Sequence, residues 1–203
     1  MSTPIDIANV TSANVNITND KQVYAFELDS IIYPKQDYDL QVYYLFASFI
    51  EFTETFPPQA ELIAFSKTAY EQHGAEGMFQ RFQDAFGIPE KYGEQLQYLY
   101  ANAQLPLPLL MYPEMEQLLK ELVAAGKQIC ILTAGNPIEK LNKIKHIQWN
   151  GLQQSLKVYF LDELKFRELE PLSFLSESYE VNSDQIAYYS SKDINGLLVT
   201  DNN

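Results

Sequence analysis

The sequence predicts an α/β fold: a parallel β-sheet flanked by helices, with a run of helices inserted after the first strand. Three observations predict it. Gln22-Val-Tyr-Ala-Phe26 is a short apolar run with aromatic and β-branched content, the composition of a central strand. From Asp37 to about Ala103 the apolar residues recur at helical spacing, with no strand between them. From Pro113 onward helical and strand patterns alternate, which argues for parallel strands covered by helices on both faces.

Residues 1–20 are rich in Ser, Thr, Asn and Asp and read as an exposed, flexible arm. After the first strand the chain turns between Ser30 and Lys35, with Pro34 as punctuation. Asp37 or Asp39 can cap a helix that runs to Phe56 and ends at Pro57-Pro58. Leu62, Phe65, Ala69 and Tyr70 form the stripe of a second helix, stopped at Gly74. Met78, Phe79, Phe82 and Phe86 form a third, closed by Gly87 and Pro89; Leu96, Leu99 and Tyr100 form a fourth. Four consecutive helices predict an inserted helical bundle over residues 37–104.

Leu105-Pro-Leu-Pro108 reads as the link back to the main body, which takes in residues 21–36 and 105–203. There Pro113 opens a helix through Leu122 that stops at Gly126. Gln128 to Leu132 is a strand and Pro137 to Trp149 a helix. Lys157 to Leu161 is a strand, Pro171 to Tyr179 a short helix, and Ile186 to Ser190 a strand. Leu197-Leu-Val-Thr200 is a candidate edge strand, and no internal repeat is present.

A chain of 203 residues suits one sizeable domain, or a compact domain carrying a smaller insert. Hydrophobic residues at 46% and charged residues at 20% give a globular balance. The net charge of -13 repels phosphate backbones and anionic lipid, which argues against nucleic-acid and membrane partners. The single cysteine, Cys130, rules out a disulfide within the chain and reads as a buried structural thiol. The first 20 residues lack the basic and apolar regions of a secretory signal. No stretch approaches the ~20 apolar residues of a membrane helix, so the expected location is the cytoplasm.

In open parallel sheets ligands bind beyond the carboxyl ends of the strands, so strand-end residues are the candidates for function. The first strand runs into Phe26-Glu-Leu-Asp-Ser-Ile-Ile-Tyr-Pro34, which places Glu27 and Asp29 on one side if the strand geometry continues. Such a pair can hold a divalent cation or divide nucleophile and acid roles; two solvated acids are the plain alternative. The Gly135-Asn136-Pro137 turn after the second strand opens a helix whose N-terminal amides favour an anion. His73 and His146 have no recognisable metal or triad partner, and Lys140, Lys143 and Lys145 read as a solvated helix face, with an anion-binding patch as the alternative. The aromatic stripe Tyr43, Tyr44, Phe46, Phe49 and Ile50 reads as packing of the insert or as a homodimer interface.

An apolar strand, an acid-x-acid pair, an inserted helical bundle and a strand ending in Thr133 together resemble the haloacid dehalogenase superfamily with a helical cap. The resemblance covers nearly the whole chain from about Val23. Tyr33-Pro34 and the aromatic helix after it look most like the superfamily's 5'-nucleotidase-like branch. The resemblance implies a Rossmann-like core and a phosphohydrolase acting on a small phosphorylated molecule. It implies Glu27 at the position of the nucleophile and Asp29 at that of the general acid/base. Ile129-Cys-Ile-Leu-Thr-Ala-Gly-Asn-Pro137 is similar to the second motif, so Thr133, Ala134, Gly135 and Asn136 would hold the phosphoryl group. Lys165 is a candidate for the same task. Glu27, Asp29 and Asp193 would hold Mg²⁺, weakly.

The departures from the family pattern fall on chemistry. Glu27 carries one methylene more than the usual Asp, and a misplacement of ~1 Å can cost on the order of a hundredfold in rate. Ile31 replaces a Thr of the first motif. Glu170 precedes Pro171 where the third motif has Lys, which reverses the charge there. Ser190 and Ser191 stand where the fourth motif begins with an acid. The sequence thus predicts a phosphohydrolase-type protein with weakened or lost phosphatase activity. The alternative is a non-catalytic module that uses the same fold to bind a ligand or a protein.

Overall fold

The computed structural model describes residues 20–190. In chain order the elements are β1 (Val23–Phe26), α1 (Lys35–Glu54), α2 (Gln59–His73), α3 (Met78–Phe86), α4 (Gly93–Asn102) and α5 (Pro113–Ala124). Then follow β2 (Gln128–Thr133), α6 (Pro137–His146), β3 (Leu156–Phe160), α7 (Leu161–Phe166), α8 (Pro171–Tyr179) and β4 (Ile186–Tyr189). The predicted arm and the predicted strand over residues 197–200 lie outside the described residues, apart from Asp20.

The four strands of the described residues are all parallel, in the order β3-β2-β1-β4. Val23 pairs with Gln128 on one side and with Ile186 on the other, so β1 is flanked along both edges. All four of its residues are buried, as a parallel strand covered on both faces requires. The chain steps outward from β1 through β2 to β3, then returns to the far side of β1 for β4. That reversal beside β1 is where an open parallel sheet leaves a crevice at its carboxyl edge.

The chain divides into two compact units. A sheet unit takes in the chain up to Pro34, Leu110–Pro137 and the chain from Gln148; a helical unit takes in Lys35–Leu109 and Ile138–Ile147. Most of α6 therefore groups with the helices, whereas its sequence position suggests the α/β body. Three hydrogen bonds explain the grouping: Leu109 N–H to the His146 carbonyl (2.9 Å), Leu105 N–H to His146 Nε2 (3.2 Å) and Asn142 Nδ2 to the Ala103 carbonyl (3.0 Å). The same tie ends α6 at His146 rather than at the predicted Trp149, because Ile147 pairs with Leu109 as an isolated bridge.

In the sheet unit, alternate strand residues share a face. Val23, Ala25, Cys130 and Leu132 pack with Leu164 of α7, Leu175 of α8 and Ile186. Burial pushes the Cys130 thiol up to about 12, so it is an inert core group, as the sequence predicts. Helix α7 is not foreseen by the sequence pattern, which places a strand through Leu161. Asp162 and Glu163 in its first turn favour the helix start.

The helical unit is built on rings. Phe82 stacks on Phe46 (centroids 5.7 Å) and meets Tyr43 edge-on (5.8 Å), while Phe65 meets Phe86 edge-on (5.2 Å). Tyr100 donates to the Tyr43 hydroxyl at 2.8 Å, which satisfies a polar group inside this cluster. Most of the predicted aromatic stripe is thus core: Tyr43, Phe46 and Ile50 are buried, and Tyr44 is exposed.

Candidate functional site

The ladder of β1 runs one residue past the strand, because the Glu27 amide donates to the Tyr189 carbonyl at 2.8 Å. The chain then folds back tightly. Ile32 N–H donates to the Leu28 carbonyl (3.2 Å) and Ser30 N–H to the Tyr33 carbonyl (3.0 Å). Leu28, Ile31, Ile32 and Tyr33 anchor this loop in the core, so the position of Ile31 is an apolar anchor point. Glu27 and Asp29 remain half-buried between these anchors. The Tyr33 hydroxyl donates to Asp29 Oδ1 at 2.6 Å, a short charge-assisted bond that fixes the acid.

Glu27 does not stand open. The Thr133 hydroxyl donates to Glu27 Oε1, and the Leu28 amide donates to the same oxygen at 2.9 Å. The Tyr188 hydroxyl lies 3.5 Å from Oε2. β1 and β2 are paired neighbours, with Phe26 opposite Ile131, and this register brings the end of one strand to the end of the other. Thr133 itself is fully buried. The structure therefore brings together two of the predicted residues, Glu27 and Thr133, as direct partners.

Ala134, Gly135 and Asn136 form an exposed turn beyond Thr133. Gly135 has φ 100°, in the region that favours glycine. Its amide, expected to face a phosphoryl oxygen, donates instead to Asp162 Oδ2 at 2.6 Å. Asp162 leaves no signal in the sequence, because the short helix it opens is itself not foreseen there. Lys165 lies three residues further along α7, exposed, and its ammonium has no ion-pair or hydrogen-bond partner among the described residues. Both side chains line a hollow of about 420 Å³ that also meets Leu161, Glu168, Leu169, Glu170 and Pro171.

Glu170 has a structural task. It is the N-cap of α8, its carboxylate accepting the Ser173 amide at 2.6 Å, with Pro171 at the first helical position. Burial pushes this carboxyl up, but the Ser173 and Leu172 amides outweigh it and hold it below the usual carboxylate range. The Glu-Pro pair predicted to reverse the charge of the site is thus committed to starting a helix.

Among the described residues no group of three or more His, Cys, Asp or Glu side chains is placed to hold a metal ion. Glu27 and Asp29 belong to the described part, while Asp193, the third predicted ligand, lies outside it. Oxygens of both described carboxylates already accept hydrogen bonds within the chain, Glu27 from Thr133 and Leu28 and Asp29 from Tyr33; one or two carboxylates completed by waters and a substrate phosphate are what Mg²⁺ ordinarily takes. His146 is structural: its Nε2 accepts the Leu105 amide, and its Nδ1 lies 2.8 Å from the Asn142 carbonyl. The predicted solvated face of α6 is corrected for two lysines. Lys140 and Lys143 are buried, and Lys143 sits 2.6 Å from Glu139 and over the Tyr38 ring. Among the described residues no helix is long and apolar enough to cross a membrane.

No family model matches the sequence, and no curated protein matches it. Solved structures do. A candidate beta-phosphoglucomutase from Thermotoga maritima is 14% identical, over 82% of this chain and 74% of that one, with a TM-score of 0.49. The L-2-haloacid dehalogenase RSc1362 is 14% identical over 85% and 79%, with a TM-score of 0.46. A haloacid dehalogenase-like family hydrolase from Xanthomonas campestris is 11% identical over 83% and 72%, with a TM-score of 0.44. At these identities the likeness bears on the fold alone.

Proposed function

We propose that the chain is a haloacid-dehalogenase-like protein of the phosphohydrolase type whose phosphatase chemistry is weakened or lost. The motifs around Glu27, Asp29 and Thr133 support the family, and Tyr33-Pro34 favours its 5'-nucleotidase-like branch. One observation carries the loss of activity: the Thr133 hydroxyl donates to Glu27. An attacking carboxylate needs a lone pair aimed at phosphorus, and a phosphoryl-binding hydroxyl must point at the transferred group. Here the Thr133 hydroxyl is spent on Glu27 Oε1, and the Leu28 amide takes a further lone pair of that same oxygen, so one of the two carboxylate oxygens is held within the chain. The longer side chain of Glu27 is what lets its carboxylate reach Thr133 from the end of β1.

A panel of phosphomonoesters assayed with Mg²⁺ tests this. Wild-type turnover is expected below ~1 s⁻¹, the low end for ordinary enzymes. Glu27→Asp is expected to raise it on the order of a hundredfold, because a shorter acid releases Thr133 and restores attack geometry. Wild-type turnover above that level, abolished by Asp29→Asn, would overturn the proposal.

A further inference from the structure

The Gly135 amide is taken from outside its own turn. Asp162 lies 27 residues away and accepts it at 2.6 Å, a charge-assisted bond on an exposed loop. As a first-turn residue of α7, Asp162 has free helix amides beside it, and the α7 N-cap, Phe160, supplies no side-chain cap. Its carboxylate crosses to Gly135 all the same. Immediately before the turn, the Thr133 hydroxyl is given to Glu27. Both donors that would receive an oxyanion therefore hold carboxylates of the chain itself. A place for Asp162 to withdraw to is also present. Lys165, at i+3 on the same helix, lines the hollow with it and has no partner among the described residues.

We propose that Asp162 is an autoinhibitory anion: it keeps oxyanions off the Gly135 amide, and it yields that amide when it turns into the hollow toward Lys165. The ligand class excluded is a phosphate or the phosphate head of a monoester. The inference rests on the proposed phosphohydrolase-type function, in which Thr133 and Gly135 would receive the phosphoryl oxygens. It concerns occupancy rather than catalysis. Two anions cannot share one amide, so binding an oxyanion requires the carboxylate to leave, and its charge repels the incoming group until it does.

Inorganic phosphate titrated into the ¹⁵N-labelled full chain tests the proposal, with the Gly135 amide signal as reporter and no turnover involved. Asp162→Ala is expected to bind phosphate at least about tenfold tighter than wild type, the scale set by losing one charge-assisted competitor. Asp162→Asn is expected to fall between them, because its side-chain oxygen still accepts the amide but carries no charge. Adding Lys165→Ala to Asp162→Ala distinguishes a cation-assisted site, and part of the gain is expected to disappear. Equal affinity in wild type and both Asp162 variants overturns the proposal, as does a lack of saturable binding in all of them. Should Asp162→Ala unfold by circular dichroism, Asp162→Asn against wild type decides alone. Rapid wild-type phosphatase turnover would instead refute the weakened-catalysis assignment, so the two failures are distinguishable.

Discussion

In the sheet unit the ionised groups of interest stand at the carboxyl ends of strands, while in the helical unit Asp39 and Lys143 lie fully buried. The face of the sheet packed against α7 and α8 buries Val23, Ala25, Cys130, Leu132, Leu164, Leu175 and Ile186. Glu27, Asp29 and Asp162 sit beyond such packing, half-buried or exposed. In the helical unit Asp39 Oδ2 accepts Lys35 Nζ at 2.5 Å and the Tyr70 hydroxyl at 3.0 Å, while its Oδ1 is buried without a partner. A charge at the strand ends can be altered without opening a core. One in the helical interior cannot, because removing a partner leaves a desolvated group behind. Substitutions in the first set should therefore read out as ligand affinity or rate, and those in the second as stability.

Removing an apolar anchor gives the largest effect and calibrates the contrast. Phe82→Ala empties the meeting point of Tyr43, Phe46 and Phe65 and is expected to cost about 3–5 kcal/mol, read by urea denaturation. Asp39 sharpens it through pH. Burial, its largest influence, raises the Asp39 carboxyl above its ordinary 3.8 against the opposing pull of Lys35. Relative to the unfolded chain, folding then favours the protonated acid. Wild type should be most stable relative to Asp39→Asn below 3.8 and lose that advantage as pH rises through the raised value. The slope is at most about 1.4 kcal/mol per pH unit, and a flat difference across that window would contradict it.

Thr133→Val is expected to cost about 1–2 kcal/mol, because a buried bond to a carboxylate is lost while Leu28 keeps its own. If the loss reaches the scale of Phe82→Ala, the strand ends are not separable from the core after all. The smallest effect is expected for Asp162→Asn, within about 0.5 kcal/mol in the same denaturation experiment, since the bond is exposed and still has an acceptor.

What the sequence reveals of this molecule is what local pattern can encode. The run Val23–Phe26 and the segment Ile129–Thr133 are legible because continuous apolar residues followed by acids or a glycine turn mark buried parallel strands. Helix α7, with six residues, is too short for a periodicity to emerge. The burial of Lys143 is hidden in a basic-looking helix, since the Glu139 carboxylate and the face of the Tyr38 ring receive its ammonium inside the unit. Glu170 is legible as a residue but not as a task, because an acid before proline fits either an altered motif or an N-cap. The Asp162–Gly135 contact joins residues with no spacing relationship, so only the folded chain shows it.

The double flanking of β1 also has a consequence in time. Its first neighbour, β2, and its second, β4, are both made long after it, with Lys35–Leu109 of the helical unit intervening before β2. Until then Val23–Phe26 is an apolar strand with two open edges, a template for pairing with other chains. Contacts so distant in sequence are slow to form. The strand that leads into Glu27 is therefore a segment that needs shielding during synthesis, and the site is complete only once the chain has been read through Tyr189.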